Sequence, residues 1–151
     1  MKGTFGRRTA ACSVATCALV MLSAAGAFAH DDGAQWTMGG QNLSTWRNQF
    51  ETEINPQNVA GLKLKWKFTT GGDVSATPAV ANGIVYFPDF AGNVYAVDAG
   101  DGHMVWQHHV ADWTGVLGDF ARNDPAIDSR TGFLVLGNQA AVMRIGMAQN
   151  S

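Results

Sequence analysis

Residues 65–106 constrain the fold more than any other stretch. Four short apolar runs, Lys65-Trp66-Lys67-Phe68, Ile84-Val85-Tyr86-Phe87, Val94-Tyr95-Ala96-Val97 and Met104-Val105-Trp106, are separated by Gly, Asn, Asp and Pro. Each run is too short for a helix. Each is rich in β-branched or aromatic side chains that suit a pleated, half-buried surface. The gaps at 89–93 and 98–102 carry glycines for positive φ and Asx residues that close tight turns. The pattern predicts an antiparallel meander with a new strand every 8–12 residues or so.

The meander repeats. Thr77-Pro78-Ala79-Val80 precedes Gly83-Ile84-Val85-Tyr86-Phe87, and Asp124-Pro125-Ala126-Ile127 precedes Gly132-Phe133-Leu134-Val135-Leu136. The two Pro-Ala phrases stand 47 residues apart, and Trp66 and Trp106 stand 40 apart. A period near 40–50 with four strand-like runs is the signature of a β-propeller. The second copy carries an insert around 112–123 and fades after Gly137. The expected fold is therefore all-β, a partial β-propeller of about one and a half blades. The expected layout is a signal peptide at 1–29, a lead-in at 30–62, the incomplete propeller at 63–137 and a tail at 138–151. Propeller repeats bury their apolar faces against neighbours, and roughly three or more are needed for stability. Open strand edges also invite aggregation. The sequence thus reads as a truncated or frameshifted piece of a longer propeller.

The first 29 residues read as a leader. Lys2, Arg7 and Arg8 give a basic start, residues 10–27 are small and apolar, and Ala27-Phe28-Ala29 is a cleavage site before polar His30-Asp31-Asp32. Ser13, Thr16 and Ser23 interrupt the apolar run, which is short for a membrane span. The expectation is an exported, periplasmic chain without a membrane anchor after cleavage. Three of the ten basic residues leave with the leader and all twelve acidic ones stay, giving a charge near −5. No basic patch is left for nucleic acid. Both cysteines, Cys12 and Cys17, lie in the leader, so the mature chain makes no disulfide, and no C-x-x-C-H is present for covalent haem. In the lead-in, Asn55 is positioned to cap a short helical turn begun by Pro56. Trp36 and Trp46 are expected to pack beneath the propeller.

Ala96-Val97-Asp98-Ala99-Gly100-Asp101-Gly102-His103-Met104-Val105-Trp106 resembles the tryptophan-docking motif of the pyrroloquinoline quinone (PQQ) dehydrogenase propellers, Ala-x-Asp-x-x-Thr-Gly-x-x-x-Trp. Ala96, Asp98, Gly102 and Trp106 match, and Asp101 replaces the threonine. The run Thr69-Thr70-Gly71-Gly72-Asp73-Val74-Ser75-Ala76-Thr77-Pro78 is closest to polyvinyl alcohol dehydrogenase-type members. Ile54-Asn55-Pro56-Gln57-Asn58-Val59-Ala60-Gly61-Leu62 is similar to the phrase these enzymes carry before their first blade. The likeness runs from about Trp36 to about Gly137.

The resemblance implies an oxidoreductase that passes hydride from an alcohol, small or polymeric, to PQQ, usually with calcium. It also implies a cytochrome c-type electron acceptor. The catalytic base comes from later blades in this family, so no catalytic residue is assigned here. Ser75, before the first Thr-Pro phrase, and Arg122, at the corresponding place in the second copy, are the candidate cofactor contacts. Arg122 offers a planar cation suited to a carboxylate, against a competing role as an ordinary salt-bridging loop residue. No residue is assigned to a metal. Adjacent strand residues face opposite ways, so His108 and His109 cannot share an ion. Asp89, Asp112, Asp119, Asp124 and Asp128 lack the spacing of a calcium loop. Two other outcomes compete with an enzyme fragment inactive on its own: a non-enzymatic propeller scaffold that binds partners through strand edges, and a remnant without function.

Overall fold

The computed structural model describes residues 35–48, 53–139 and 141–147. The leader and the last four residues lie outside them. Among the described residues, seven strands form two antiparallel sheets. The first sheet runs in the order β1 (Ala79–Ala81), β2 (Ile84–Pro88), β3 (Asn93–Asp98) and β4 (Met104–His109). A short helix, α1 (Val110–Thr114), follows. The second sheet is β5 (Ala126–Asp128), β6 (Phe133–Gly137) and β7 (Val142–Gly146). This is the expected partial propeller, one four-strand sheet followed by part of another.

Turn chemistry sets the register. Asn82 and Gly83 both have positive φ, 52° and 75°, which joins β1 to β2 in a two-residue turn and pairs Ala81 with Ile84. At the β3–β4 turn the Asp98 carboxylate accepts from the Gly100 N–H at 2.6 Å, and the Gly102 N–H donates to the Asp98 carbonyl at 2.9 Å. Gly102 has φ +79°, where a side chain is strained. A bulge follows: Ala96 pairs with Trp106 but Val97 with Met104, so Val105 is the extra residue.

The central strand β3 is buried along both faces. One face, Val94 and Ala96, joins Ala79, Ala81 and Tyr86 against Ile127, Leu134 and Leu136 of the second sheet. Leu134 and Leu136 are almost wholly buried there, worth roughly 2 kcal/mol each. The other face, Tyr95 and Val97 with Phe87, packs against Trp66 and Phe68. Phe68 meets Phe87 and Tyr95 edge-on at 6.0 and 5.3 Å. The Trp66 indole lies on Gly102, where a Cβ would sit 2.8 Å from the ring, and its Nε1–H donates to the Ala99 carbonyl at 2.9 Å. Trp66, just past the lead-in, therefore docks on the turn of the first sheet.

Several local expectations are refined. Residues 65–68 pair with no strand among the described residues; burial alternates at Trp66 and Phe68 because those two rings cover the sheet face. The second copy does not end at Gly137, because β7 continues its sheet to Gly146. Asn55 does cap the lead-in turn: its side-chain oxygen accepts from the Gln57 N–H at 3.0 Å, ahead of a 3-10 turn at Val59–Gly61. Trp36 pairs with β1, donating from its N–H to the Val80 carbonyl at 2.9 Å and accepting from the Val80 N–H at 2.7 Å. Trp46, expected to pack, is 59% exposed.

Gly102→Ala adds both left-handed strain and a clash with Trp66, whereas Gly83→Ala, with open space around its Cβ, adds strain alone. Chemical denaturation should show a loss of about 3 kcal/mol for Gly102→Ala against about 1 kcal/mol for Gly83→Ala. Equal losses would mean the Trp66 contact carries no energy.

Candidate functional site

The two Pro-Ala phrases put equivalent residues at the same end of the inner strands β1 and β5. Ser75 stands two residues before Thr77, and Arg122 two before Asp124. The Asp124 carboxylate ties the copies together by accepting from the Thr77 N–H at 2.6 Å. Gly39 of the lead-in lies so close to that carboxylate that a Cβ would collide with it. The Ile127 N–H donates to the Thr37 carbonyl at 2.7 Å, so the lead-in laces β5 as well as β1.

Ser75 and Arg122 are both exposed. The Arg122 guanidinium lies 6.0 Å from the Phe120 ring centroid, within cation–π reach. Among the described residues it makes no ion pair, so the salt-bridging reading finds no partner there. Phe120 in turn meets Phe90 edge-on at 6.0 Å, bringing the insert against the β2–β3 turn of the first sheet. A cavity of about 90 Å³ opens beside Arg122, lined by Phe120, Asn123, Asn138 and Gln139.

The loop that carries Ser75 is anchored by a buried acid. Asp89, 1% exposed, accepts from the Asn93 N–H and side-chain amide, from the Tyr95 hydroxyl at 2.9 Å and from the Gly72 N–H at 3.0 Å. Tyr95 completes the bracket by accepting from the Gly71 N–H at 3.0 Å. Gly72 is needed because a Cβ would come 2.6 Å from the Ala91 nitrogen. Burial alone would push the Asp89 carboxyl up, but the bonds from Asn93, Tyr95 and Gly72 outweigh it and hold the group below the usual carboxylate range. Burial, together with the Asp89 carboxylate, pushes the Tyr95 phenol up.

The other acids are separate turn-closers. Asp112 accepts from the His109 N–H, Asp119 from the Phe120 N–H and the Asn138 amide, and Asp128 from the Arg130 N–H and the Thr131 hydroxyl. No group of three metal-ligating side chains occurs among the described residues. His108 lies between Trp106 and Trp113, 5.3 and 5.4 Å from their centroids, while the His109 ring packs over Gly92. Trp106, His108 and Trp113, with Met143, Arg144, Ile145 and Gly146, line a groove of about 600 Å³ between β4 and β7. Trp106 thus faces the second sheet, as the docking motif implies. The sequence marked Ser75 and Arg122 as equivalent positions in the two repeats but missed the roles of Asp89 and Asp124. The clue to Asp124 was its position opposite Thr77 in the repeat.

Similarity to known proteins bears on this arrangement. The family described as PQQ: glucose/ethanol/alcohol dehydrogenase, beta-propeller domain, matches residues 36–123. A quinohemoprotein alcohol dehydrogenase of Pseudomonas putida is 32% identical over 113 residues, 64% of this chain and 16% of that protein. A polyvinylalcohol dehydrogenase of Pseudomonas sp is 29% identical over 77 residues, 51% of this chain and 12% of that protein. A tetrathionate hydrolase of Acidithiobacillus ferrooxidans is 44% identical over 53 residues, 35% of this chain and 11% of that protein. The chain spans no more than 16% of the length of these relatives.

Replacing Asp89 by Asn turns an amide donor toward groups that already donate. Urea denaturation at neutral pH should show a loss of about 2–3 kcal/mol. The folded pKa is depressed, so the carboxylate's contribution is fully present above the unfolded value of about 4 and is lost as pH falls through the folded value. The variant should therefore lose less stability than the parent between about pH 5 and about pH 3. An unchanged acid limb would contradict this role.

Proposed function

Since this chain belongs to the PQQ β-propeller family of glucose, ethanol and alcohol dehydrogenases, we propose that it is the N-terminal part of a periplasmic PQQ-dependent alcohol dehydrogenase. On this reading it forms one wall of the cofactor site and turns over no alcohol by itself. The observation that carries it is the pairing of the two repeats, which sets Ser75 and Arg122 at one end of adjacent inner strands, tied by Asp124 and Thr77. The match to the alcohol dehydrogenase of Pseudomonas putida extends over 113 residues against 53 for the tetrathionate hydrolase, which favours alcohol oxidation.

PQQ, when bound, supplies the hydride acceptor for alcohol oxidation. The residues present suit part of that group. The Arg122 guanidinium is exposed and matches a carboxylate in two-pronged geometry. The Ser75 hydroxyl adds a donor on the neighbouring strand end. Trp36, on the lead-in that pairs with β1, holds a buried Nε1–H without an acceptor among the described residues. In this reading the catalytic base and any calcium ligands lie beyond the described residues. The substrate is an alcohol, polymeric if the polyvinyl alcohol likeness extends to specificity, and the acceptor is a cytochrome c-type protein. Export rests on the leader at 1–29. No helix among the described residues is long and apolar enough to cross a membrane.

PQQ with calcium should raise the melting temperature of the chain. Arg122→Ala should abolish the shift, Ser75→Ala should reduce it, and Arg130→Ala, at an exposed pair with Asp128, should leave it intact. Arg122→Ala should weaken quinone binding by about tenfold or more, roughly 1.4 kcal/mol. No shift in the parent chain, or an equal shift in Arg122→Ala, would overturn this assignment.

A further inference from the structure

The turn that supports Ser75 has a counterpart beside Arg122 with donor and acceptor exchanged. In the first sheet, the Asp89 N–H donates to the Asn93 carbonyl, and the Asp89 carboxylate accepts in return from the Asn93 N–H at 2.8 Å. In the second, the Asn138 N–H donates to the Ala141 carbonyl, and the Asn138 side-chain oxygen accepts from the Ala141 N–H. Pro88 pairs with Val94 as Gly137 pairs with Val142, so Asn138 stands in the place of Asp89. Each side chain also reaches back to the loop that leads into its own sheet. Asp89 accepts from the Gly72 N–H, three residues before Ser75. Asn138 donates to the Asp119 carboxylate, three residues before Arg122.

The second bracket can point only one way. The Asn138 oxygen is committed to the Ala141 N–H, so its amide NH2 faces Asp119. The other Asp119 oxygen accepts from the Phe120 N–H at 2.9 Å. Both oxygens of this buried side chain therefore meet donors, which suits an ionised carboxylate because it has acceptors alone. The same residue touches the first repeat: a Cβ on Gly92 would come within 2.7 Å of the Asp119 carbonyl oxygen. Phe120, held by the Asp119 carboxylate, is the ring beneath the Arg122 guanidinium, and Arg122 and Asn138 line one cavity. Asp119 makes no ion pair with Arg122 among the described residues, so it holds the loop and not the guanidinium.

We propose that Asp119 is the positioning residue of Arg122, which rests on the reading of Arg122 as a quinone contact. Asp119 ties the 119–122 segment to the β6–β7 turn, as Asp89 ties the Gly71-Gly72 loop to the β2–β3 turn. Its charge opposes the approach of a tricarboxylate, while its hydrogen bonds favour binding by fixing where Arg122 starts from. The two contributions have opposite signs, so one substitution separates them.

The test is the affinity of the full chain for PQQ with calcium, titrated below the melting temperature of each chain. Asp119→Asn sets an amide donor against the Asn138 amide or the Phe120 N–H, and should raise Kd about tenfold. Loss of the charge alone would lower Kd. Adding Asn138→Asp exchanges donor and acceptor, restores both bonds at the parent's net charge, and should return Kd to the parent's value. In Arg122→Ala, Asp119→Asn should raise Kd no further, because Asp119 acts through that side chain. Where Asp119→Asn does not fold alone, Asn138→Ala, which keeps the bond to Phe120, takes its place in the same comparison. No quinone binding by the parent overturns the cofactor reading and this proposal with it. A parent that binds, with Arg122→Ala weakened and Asp119→Asn at the parent's Kd or below, overturns this proposal alone. So does an exchanged pair that stays weak, or an added loss in Arg122→Ala.

Discussion

The contact between Trp66 and Gly102 governs how this chain builds a sheet. A large indole lies flat on a peptide that has no Cβ, and its Nε1–H satisfies the Ala99 carbonyl in the same turn. The turn must therefore hold φ +79° at Gly102, with Asp98 closing it from inside. Fixing this turn fixes the β3–β4 register, and the bulge at Val105 sets the path of the strand that carries Trp106. Trp106 then faces the second sheet as Trp66 faces the first. Each repeat is thus stabilised by an aromatic residue from the one before it, rather than by a core of its own.

That stacking explains why the candidate site lies at the inner strand ends. The outer strand β4 is occupied with docking, while the segments that lead into β1 and β5 carry the exposed Ser75 and Arg122. Two local devices hold them. Asp89 brackets the Gly71-Gly72 loop that leads to Ser75, and Asp124 bridges the start of one repeat to the next. Both are hydrogen-bond arrangements in the loops and turns that flank the strands, and Arg122 beside them makes no ion pair among the described residues.

Much of this was legible in the sequence because turns and repeats are local. The Asp98–Gly102 turn, the paired Pro-Ala phrases and the equivalence of Ser75 with Arg122 all follow from spacing. β7 was not legible, because Arg144 and Gly146 stand where the first repeat has Ala96 and Asp98, so the recognisable phrase is lost although the alternation survives. Asp89 read as one loop acid among five. Its role depends on Gly72 and Tyr95, which only folding brings to it. The seating of Trp66 was hidden for the same reason, since its partner turn lies in the next repeat. The candidate cofactor contacts were legible as a cation, Arg122, and a hydroxyl, Ser75, at equivalent places in the two repeats.

Hydrogen exchange of the parent chain and of Trp66→Leu tests the dependence on docking most directly. The amides of Asp98 and Gly102, bonded to the His103 and Asp98 carbonyls, and those of the β3–β4 ladder should lose protection together in the variant. The expected acceleration is about tenfold or more, the equivalent of roughly 1.4 kcal/mol, and larger than at β6–β7. Superimposable protection patterns in the two proteins would show that the first sheet stands without Trp66.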